Sequence, residues 1–413
     1  MALVYIDDLT VGMILAEDLF TPKGRFILAE GASLGHEHLQ KFKAWGVIEA
    51  DICEESLGED YRRQQEAVEG FTEQAEVYLY RRFGLNDINR EPLTTIYRHA
   101  VHRFAQSLQK GWDPVVFATD VMPPGEDKQQ PLSVSQLLKG DVELVSLPVI
   151  YSHIVDALND PQSSSRRLAE VISKDASLSV RLLKLVNSPF YGFSGKIDSI
   201  SRAVSLLGTN ELTSLALGVT LVRQFKHIPS DLLNMDSFWR HSIRCGLFAR
   251  ILAGHLGETG SEKYFSGGLL HDIGRLVMLE RMPGPYTLAI IKGRDKPLPM
   301  YRAEQDCLQT DHSIVGKLLA LRWRLPTPLT RMIGGHHSPS ANHYALESSL
   351  MHVADVLAHA CGHEVNLVNE IPPLQLKAWD ATGLKEEMIA PTIRQVDAEF
   401  REIVRIFFGS SDK

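Results

Sequence analysis

Apolar positions recur at helical spacing over most of this chain. In "SRRLAEVISKDASLSVRLLKLVNS", residues 165–188, Leu168, Val171, Ile172, Leu178, Leu182, Leu185 and Val186 fall on stripes separated by polar positions. That is the pattern of helices with one buried face. "SISRAVSLLGTNELTSLALGVTLVRQF", residues 199–225, behaves the same way, with a Gly-Thr-Asn break inside it. From residue 131 to 413 nearly every segment has this spacing, and the region is predicted to be an all-α domain. No glycine-rich phosphate loop follows a strand, and no repeat of fixed period is evident.

The first 56 residues read differently. "VYIDDL", "MILAEDLF" and "RFILAEG" are short β-compatible runs, and "TPKGR" supplies Pro and Gly for a turn between the last two. "SLGHEHLQKFKAWG" predicts a helix with Ser33 as its N-cap, Leu39 and Phe42 on one stripe and Gly46 as its stop. "VIEADI" predicts a closing strand. Residues 1–56 are therefore expected to form a small α+β domain, too small to stand without packing against something. Residues 57–130 are expected to be a connecting arm and loop. Within it "YRRQQEAVEGFTEQAEVYLYRRF" and "LTTIYRHAVHRFAQSLQ" read as two amphipathic helices, and "DVMPPGEDKQQPLS" as a boundary near residue 130. The fold class predicted is mainly α, with a small α+β N-terminal domain.

Composition narrows the function. The chain has 413 residues, 44% of them hydrophobic and 23% charged, as in an ordinary globular protein. Lys plus Arg number 43 against 51 acids, a net charge of −8, so broad sequence-independent nucleic-acid binding is not expected. Cys53, Cys245, Cys307 and Cys361 form no CxxC pair and read as free thiols of a reducing compartment. The N-terminal "MALVYIDDL" lacks a basic segment, and no apolar run approaches about 18 residues. A cytoplasmic protein without a membrane span is expected.

The histidines carry the chemistry. Ten of 16 lie between residues 241 and 363. They include His241 in "FWRHSIRCG", His271 beside Asp272 in "GGLLHDIGRLVML", His312 in "DHSIVGKLL" and His336–His337 in "IGGHHSP". Asp355 follows in "MHVADVLAH". Imidazole nitrogens mixed with carboxylates are a ligand set for zinc, manganese, iron or nickel, and helices of a bundle can present them to one cleft. His255, His343, His352, His359 and His363 read as ordinary core or surface histidines.

The ordered set of His, His-Asp, His, His-His and Asp resembles the HD superfamily of metal-dependent phosphohydrolases. It is closest to the HDOD (HD-related output domain) branch over roughly residues 137–360. "LPVIYSHIVDALNDP", "VISKDASLSVRLLKLVNSPFYGF", "IDSISRAVSLLGTNEL", "FSGGLLHDIGRLVML" and "HSIVGKLLALRWRLP" carry the resemblance in order. "DLTVGMILAEDLF", "GRFILAEGASL" and "LQKFKAWGVIEADI" resemble the small domain that precedes HD-GYP cyclic-dinucleotide phosphodiesterases. The resemblance implies that His241, His271, Asp272 and Asp355 hold one divalent ion. Asp272 would bridge to a second ion held by His312, His336 and His337.

Two departures weigh against catalysis. The HD-GYP pattern has a lysine after its His-Asp where this chain has Arg275, which stays protonated and cannot act as a general acid or base. The Gly-Tyr-Pro loop after the paired histidines is replaced by "HHSPSANHYALES". The resemblance therefore implies a signal-transduction output protein with a dinuclear metal site and little or no turnover. The alternative is a metal-dependent phosphohydrolase acting on a nucleotide or phosphate ester, with Asp272 and Arg275 as the candidate catalytic residues. Asn187, Phe190 and Tyr191, at a helix end that Pro189 blocks, are a candidate ligand or partner groove. Signalling proteins are the expected partners, a nucleotide or phosphate is the candidate ligand, and the helical arm at 57–110 is a candidate surface for a homodimer.

Overall fold

A computed structural model of the chain describes residues 2–6, 8–21, 25–44, 47, 49–113, 131–138, 150, 152–154, 156, 165–188, 191–193, 195–222, 228, 232–258, 260–363 and 370–408. The expected boundary loop up to residue 130, the "LPVIYSHIVDALNDP" segment for the most part, and Phe190 lie outside these residues. The chain divides into two compact units, one of Met1–Leu79 with Arg98–Asp113, the other of Tyr80–Tyr97 with Pro114–Lys413.

The first unit is α+β at its N-terminal end. Strand β1 (Ala2–Tyr5) pairs antiparallel with β4 (Glu49–Ile52), and β2 (Leu19–Phe20) with β3 (Phe26–Leu28). Helix α1 (His36–Ala44) lies between β3 and β4 in sequence. Val4, Leu15, Leu34, Phe42, Ala50 and Ile52 meet in one apolar core. Ser33 does not cap α1, because it forms a bridge with Ile14 before the helix begins. Instead His38 Nδ1 accepts the backbone N–H of Gly35 at 3.1 Å, so a side chain from the first turn reaches back to the helix start. The "YRRQQEAVEGFTEQAEVYLYRRF" stretch is two helices, α2 (Glu59–Glu69) and α3 (Thr72–Arg82), parted at Gly70 and Phe71. Glycine is the residue a helix interior tolerates least after proline, and the chain turns there. In α4 (Leu93–Gln109), Phe104 contacts Tyr78 at 5.4 Å and Trp112 at 5.3 Å between ring centroids.

The second unit is helical throughout its described residues. Its elements run α5 (Val134–Leu137), α6 (Ser165–Ser173), α7 (Ala176–Val186), α8 (Ile200–Leu207), α9 (Thr209–Leu221), α10 (Met235–His255), α11 (Glu262–Leu270) and α12 (Ile273–Arg281). They continue with α13 (Pro283–Asp295), α14 (Met300–Leu308), α15 (His312–Arg322), α16 (Thr327–Gly335), α17 (Leu346–Cys361), α18 (Leu376–Thr382) and α19 (Ile389–Phe408). The apolar stripes read from the sequence are the buried faces. Leu168, Ile172, Leu182, Leu185 and Val186 are all nearly inaccessible, and the break between α8 and α9 falls at Gly208. No helix among the described residues is long and apolar enough to cross a membrane.

Helix α10 is central. It packs on α11, α17 and α19, while α12 packs on α15, and α16 on α11, α15 and α17. Glycines permit two of these contacts. A Cβ on Gly268 would lie 2.4 Å from Gly246 Cα, and one on Gly274 would lie 2.0 Å from the carbonyl oxygen of His312. The backbones of α10 and α11, and of α12 and α15, are thus in direct contact. The spacing leaves no room for a methyl group.

Gly268→Ala is expected to destabilise the protein by about 1–3 kcal/mol, the usual cost of overpacking a filled core. Gly254→Ala, whose Cβ would meet nothing within 4 Å, is expected to be neutral or stabilising by up to about 1 kcal/mol. Denaturant midpoints of the two variants check this. Equal midpoints would contradict the packing account.

Candidate metal centre

His271 and Asp272 sit at the corner between α11 and α12, where one helix has ended and the next has not begun. Both side chains point inward, and neither is more than 2% exposed. His241 comes from the first half of α10, and Asp355 from α17. His312 opens α15, oriented by Asp311, whose carboxylate accepts the N–H groups of Ser313 and Ile314 as the helix N-cap. His336 and His337 follow the last turn of α16. All seven residues that the resemblance implies as ligands are buried and come together in the second unit.

They form two groups, each around one carboxylate oxygen. Asp272 Oδ1 lies 3.1 Å from His312 Nε2, 3.7 Å from His336 Nε2 and 3.0 Å from Arg275 Nε. His337 Nε2 lies 2.9 Å from His312 Nε2. Asp355 Oδ1 lies 3.1 Å from His241 Nε2 and 3.5 Å from His271 Nε2. His271 Nε2 is also 3.5 Å from Asp272 Oδ2, so it links the groups. The potential ligand atoms of Asp272, His312, His336 and His337 all lie within 4.8 Å of one another, as do those of His241, His271 and Asp272.

The outer ring nitrogens explain why the inner ones face each other. His271 Nδ1 donates to Gly268 O at 2.6 Å, and His336 Nδ1 donates to Ile333 O at 2.8 Å. His312 Nδ1 donates to Glu304 at 2.6 Å. A carbonyl can only accept, so in the neutral rings of His271 and His336 the proton is on the outer nitrogen and Nε2 presents a lone pair inward. His312, held by the Glu304 carboxylate, does the same once its Nε2 proton is displaced. His312 and His336 then hold two Nε2 atoms 3.2 Å apart. Two lone pairs at that distance repel unless a cation or an added proton stands between them. His271 Nε2 is buried without a hydrogen-bond partner among the described residues, and Asp272 Oδ1 is held by ion-pair contacts alone. Imidazoles anchored from outside at His271, His312 and His336, with their Nε2 atoms crowded together and carboxylates between them, fit a divalent ion by donor chemistry.

Charges in the cluster are strongly coupled. Burial opposes ionisation of Asp272 and Asp355 more than any other single influence. Their neighbours together still hold both carboxyls well below the usual range: Arg275, His271 and His312 around Asp272, and His359, His241 and His271 around Asp355. His312 is pushed up to about 9 despite its burial, chiefly by Glu304. His336 is pushed down to about 3 by burial and by His271 and His312. Burial first, and neighbouring histidines second, depress His337 and His359 well below the usual imidazole value.

Several residues here escape sequence reasoning. Glu304 on α14 is fully buried, accepts from both the ring and the backbone N–H of His312, and receives the Tyr286 hydroxyl at 2.6 Å. Tyr301 stacks on His337 at 4.5 Å. His352 donates from Nδ1 to His336 O and accepts from Gln375 N, so it braces the paired histidines. His359 is buried beside Asp355. Its spacing of four from Asp355 on a helix is the signal that was available.

The three residues of the candidate groove fare differently. Asn187 lines a groove of about 700 Å³ with Val180, Leu183, Lys184, Phe193 and Ile197. Its side-chain amide is committed, however: it donates to Leu183 O and Ile197 O and accepts from Ile197 N, each at 2.7 Å, which closes the loop after α7. Tyr191 stacks on Phe193 with ring centroids 6.0 Å apart.

Residues 144–339 match the family model of the HDOD domain. An uncharacterized protein of Treponema pallidum (strain Nichols) is 28% identical over 198 residues, 48% of this chain and 38% of that protein. YuxH of Bacillus subtilis (strain 168), also uncharacterized, is 40% identical over 62 residues, 15% of each chain. The match thus spans well under two thirds of either relative. A crystal structure described as "Putative phosphohydrolase" from Shewanella amazonensis SB2B shares the fold. It aligns with a TM-score of 0.53 at 21% identity, covering 67% of this chain and 98% of that one.

The depressed histidines fix the sign of a pH dependence for protein treated with chelator. His336, His337 and His359 stay neutral in the folded chain at pH values where an unfolded histidine, near 6.5, takes up a proton. Stability therefore falls as pH drops below about 6.5, by about 2 kcal/mol at pH 5 from one such histidine. His312, raised to about 9, contributes stability below 6.5 that is lost as pH rises through 9. The denaturant midpoint is expected to fall between pH 7 and pH 5. An unchanged midpoint would contradict the account.

Proposed function

The chain carries an HDOD domain, and from that premise we propose that it is a regulatory output protein whose helical unit holds two divalent ions with little or no turnover. The observation that carries this reading is the convergence of the Nε2 atoms of His271, His312 and His336 on the two carboxylates. His241, His271 and Asp355 would hold one ion, His312, His336 and His337 the other, and Asp272 would bridge them. Iron, manganese, nickel and zinc all suit this donor set. Bound ions of this kind supply Lewis acidity and a lowered pKa for coordinated water.

The chain's own residues favour holding over turnover. His271, His312 and His336 are 0% exposed, which supports an enclosed site over one open to a phosphate ester. Arg275 would be the natural phosphate clamp, but its guanidinium is paired with Asp272 and lies 3.5 Å from His312. It neutralises the bridging carboxylate instead of facing a substrate. A module built this way would act through partner proteins, with the N-terminal α+β domain and the helical arm as the remaining surfaces of the chain. A phosphate or nucleotide would then be an effector.

Elemental analysis of the purified full chain beside Asp272→Ala, after reconstitution with each metal, tests this reading. About two ions per chain are expected in the wild type, fewer in the variant, and no hydrolysis across a panel of phosphate esters. No metal in either protein would remove the metal centre. Sustained hydrolysis lost in the variant would replace this reading with that of a phosphohydrolase.

A further inference from the structure

We propose that His359 is a ligand of the first ion and that it closes that site. The inference rests on the two-ion reading above and adds a residue to it. Asp355 and His359 stand four residues apart on α17, so their side chains emerge on the same face one turn apart. Both are buried, at 1% and 4% exposure. His359 Nε2 lies 3.4 Å from Asp355 Oδ1, the same oxygen that His241 Nε2 approaches at 3.1 Å and His271 Nε2 at 3.5 Å. Three imidazole nitrogens, from α10, from the end of α11 and from α17, therefore surround one carboxylate oxygen. The His241 and His359 rings are 4.3 Å apart between centroids, and the ligand atoms of His241, Asp355 and His359 lie within 4.8 Å of one another.

His352, three residues before Asp355 on the same helix, shows what a bracing histidine does in this fold. Both of its ring nitrogens are engaged with backbone, at His336 O and Gln375 N. The Nε2 of His359 is directed instead at the carboxylate that two other candidate ligands share. An imidazole in that position adds a neutral nitrogen donor to a site that already has two, and raises its protein ligands to His241, His271, His359, Asp355 and the bridging Asp272. Catalytic ions keep a position open for water or substrate, whereas structural ions are fully enclosed by protein. His359 fills the position that turnover would need.

The test uses the full chain loaded with cobalt(II). Wild type is expected to bind two ions. His359→Gln is expected to keep one and to bind the other roughly tenfold or more weakly, while the exposed control His343→Gln keeps both. His359→Cys, loaded in the same way, is expected to gain a thiolate-to-cobalt charge-transfer band above the wild-type spectrum. That band arises only if the side chain reaches the metal, so His359→Cys decides the matter should His359→Gln fail to fold. Two ions held by His359→Gln with wild-type affinity, or a loaded His359→Cys without the added band, would overturn the proposal and leave the two-ion reading standing. A wild type that binds no cobalt would overturn both.

Discussion

Six imidazole rings and two carboxylates share a space inside the helical unit from which solvent is almost wholly excluded. A buried group normally finds a hydrogen-bond partner of the opposite kind, because leaving it unpaired costs about 1–3 kcal/mol and more for a charge. Here the outer nitrogens of His271, His336 and His312 obey that rule against Gly268 O, Ile333 O and Glu304, which turns their inner nitrogens toward the carboxylates and toward one another. What remains inside is a surplus of acceptors. One arginine faces them, and it is tied to Asp272. The cluster is consistent only with positive charge entering it, either as protons shared among coupled histidines or as metal ions.

The surrounding architecture serves that constraint. Each candidate ligand sits at a helix end or on a face turned to the centre: the α11–α12 corner for His271 and Asp272, the capped start of α15 for His312, and the end of α16 for the histidine pair. Helices bearing them must come closer than ordinary side chains allow. The Gly246–Gly268 contact and the approach of Gly274 to the His312 backbone meet that need. A second ring of polar residues then fixes the rings. Tyr286 and Glu304 hold His312, and His352 and Gln375 hold the backbone of His336 and His337. Such outer partners set which nitrogen of a ligand is bare.

Much of this was legible from the chain alone. Helical periodicity identified the buried stripes because burial of one face is what makes a helix amphipathic, and Leu168, Leu182 and Val186 needed no further information. The His-Asp set was legible because residue type, order and resemblance agreed. His359 was not, since a single histidine on an apolar helix reads as core until folding brings α10 against α17. Glu304 looked like one more acid on an amphipathic helix, and only the turn from α14 into α15 shows what it accepts. Local chemistry also misled in small ways: Gly70 ended a helix that the charge pattern carried through, and Ser33 joined a bridge where a cap was expected. Asn187 was legible as unusual, but the loop it closes was not.

Anomalous diffraction from crystals of the full chain, grown after metal reconstitution and collected at the absorption edge of the added metal, is the most direct measurement. The account predicts two peaks, one among His241, His271, His359 and Asp355 and the other among His312, His336 and His337, with Asp272 between them. An absence of anomalous density inside this cluster, with the histidines paired to one another through protons, would contradict it.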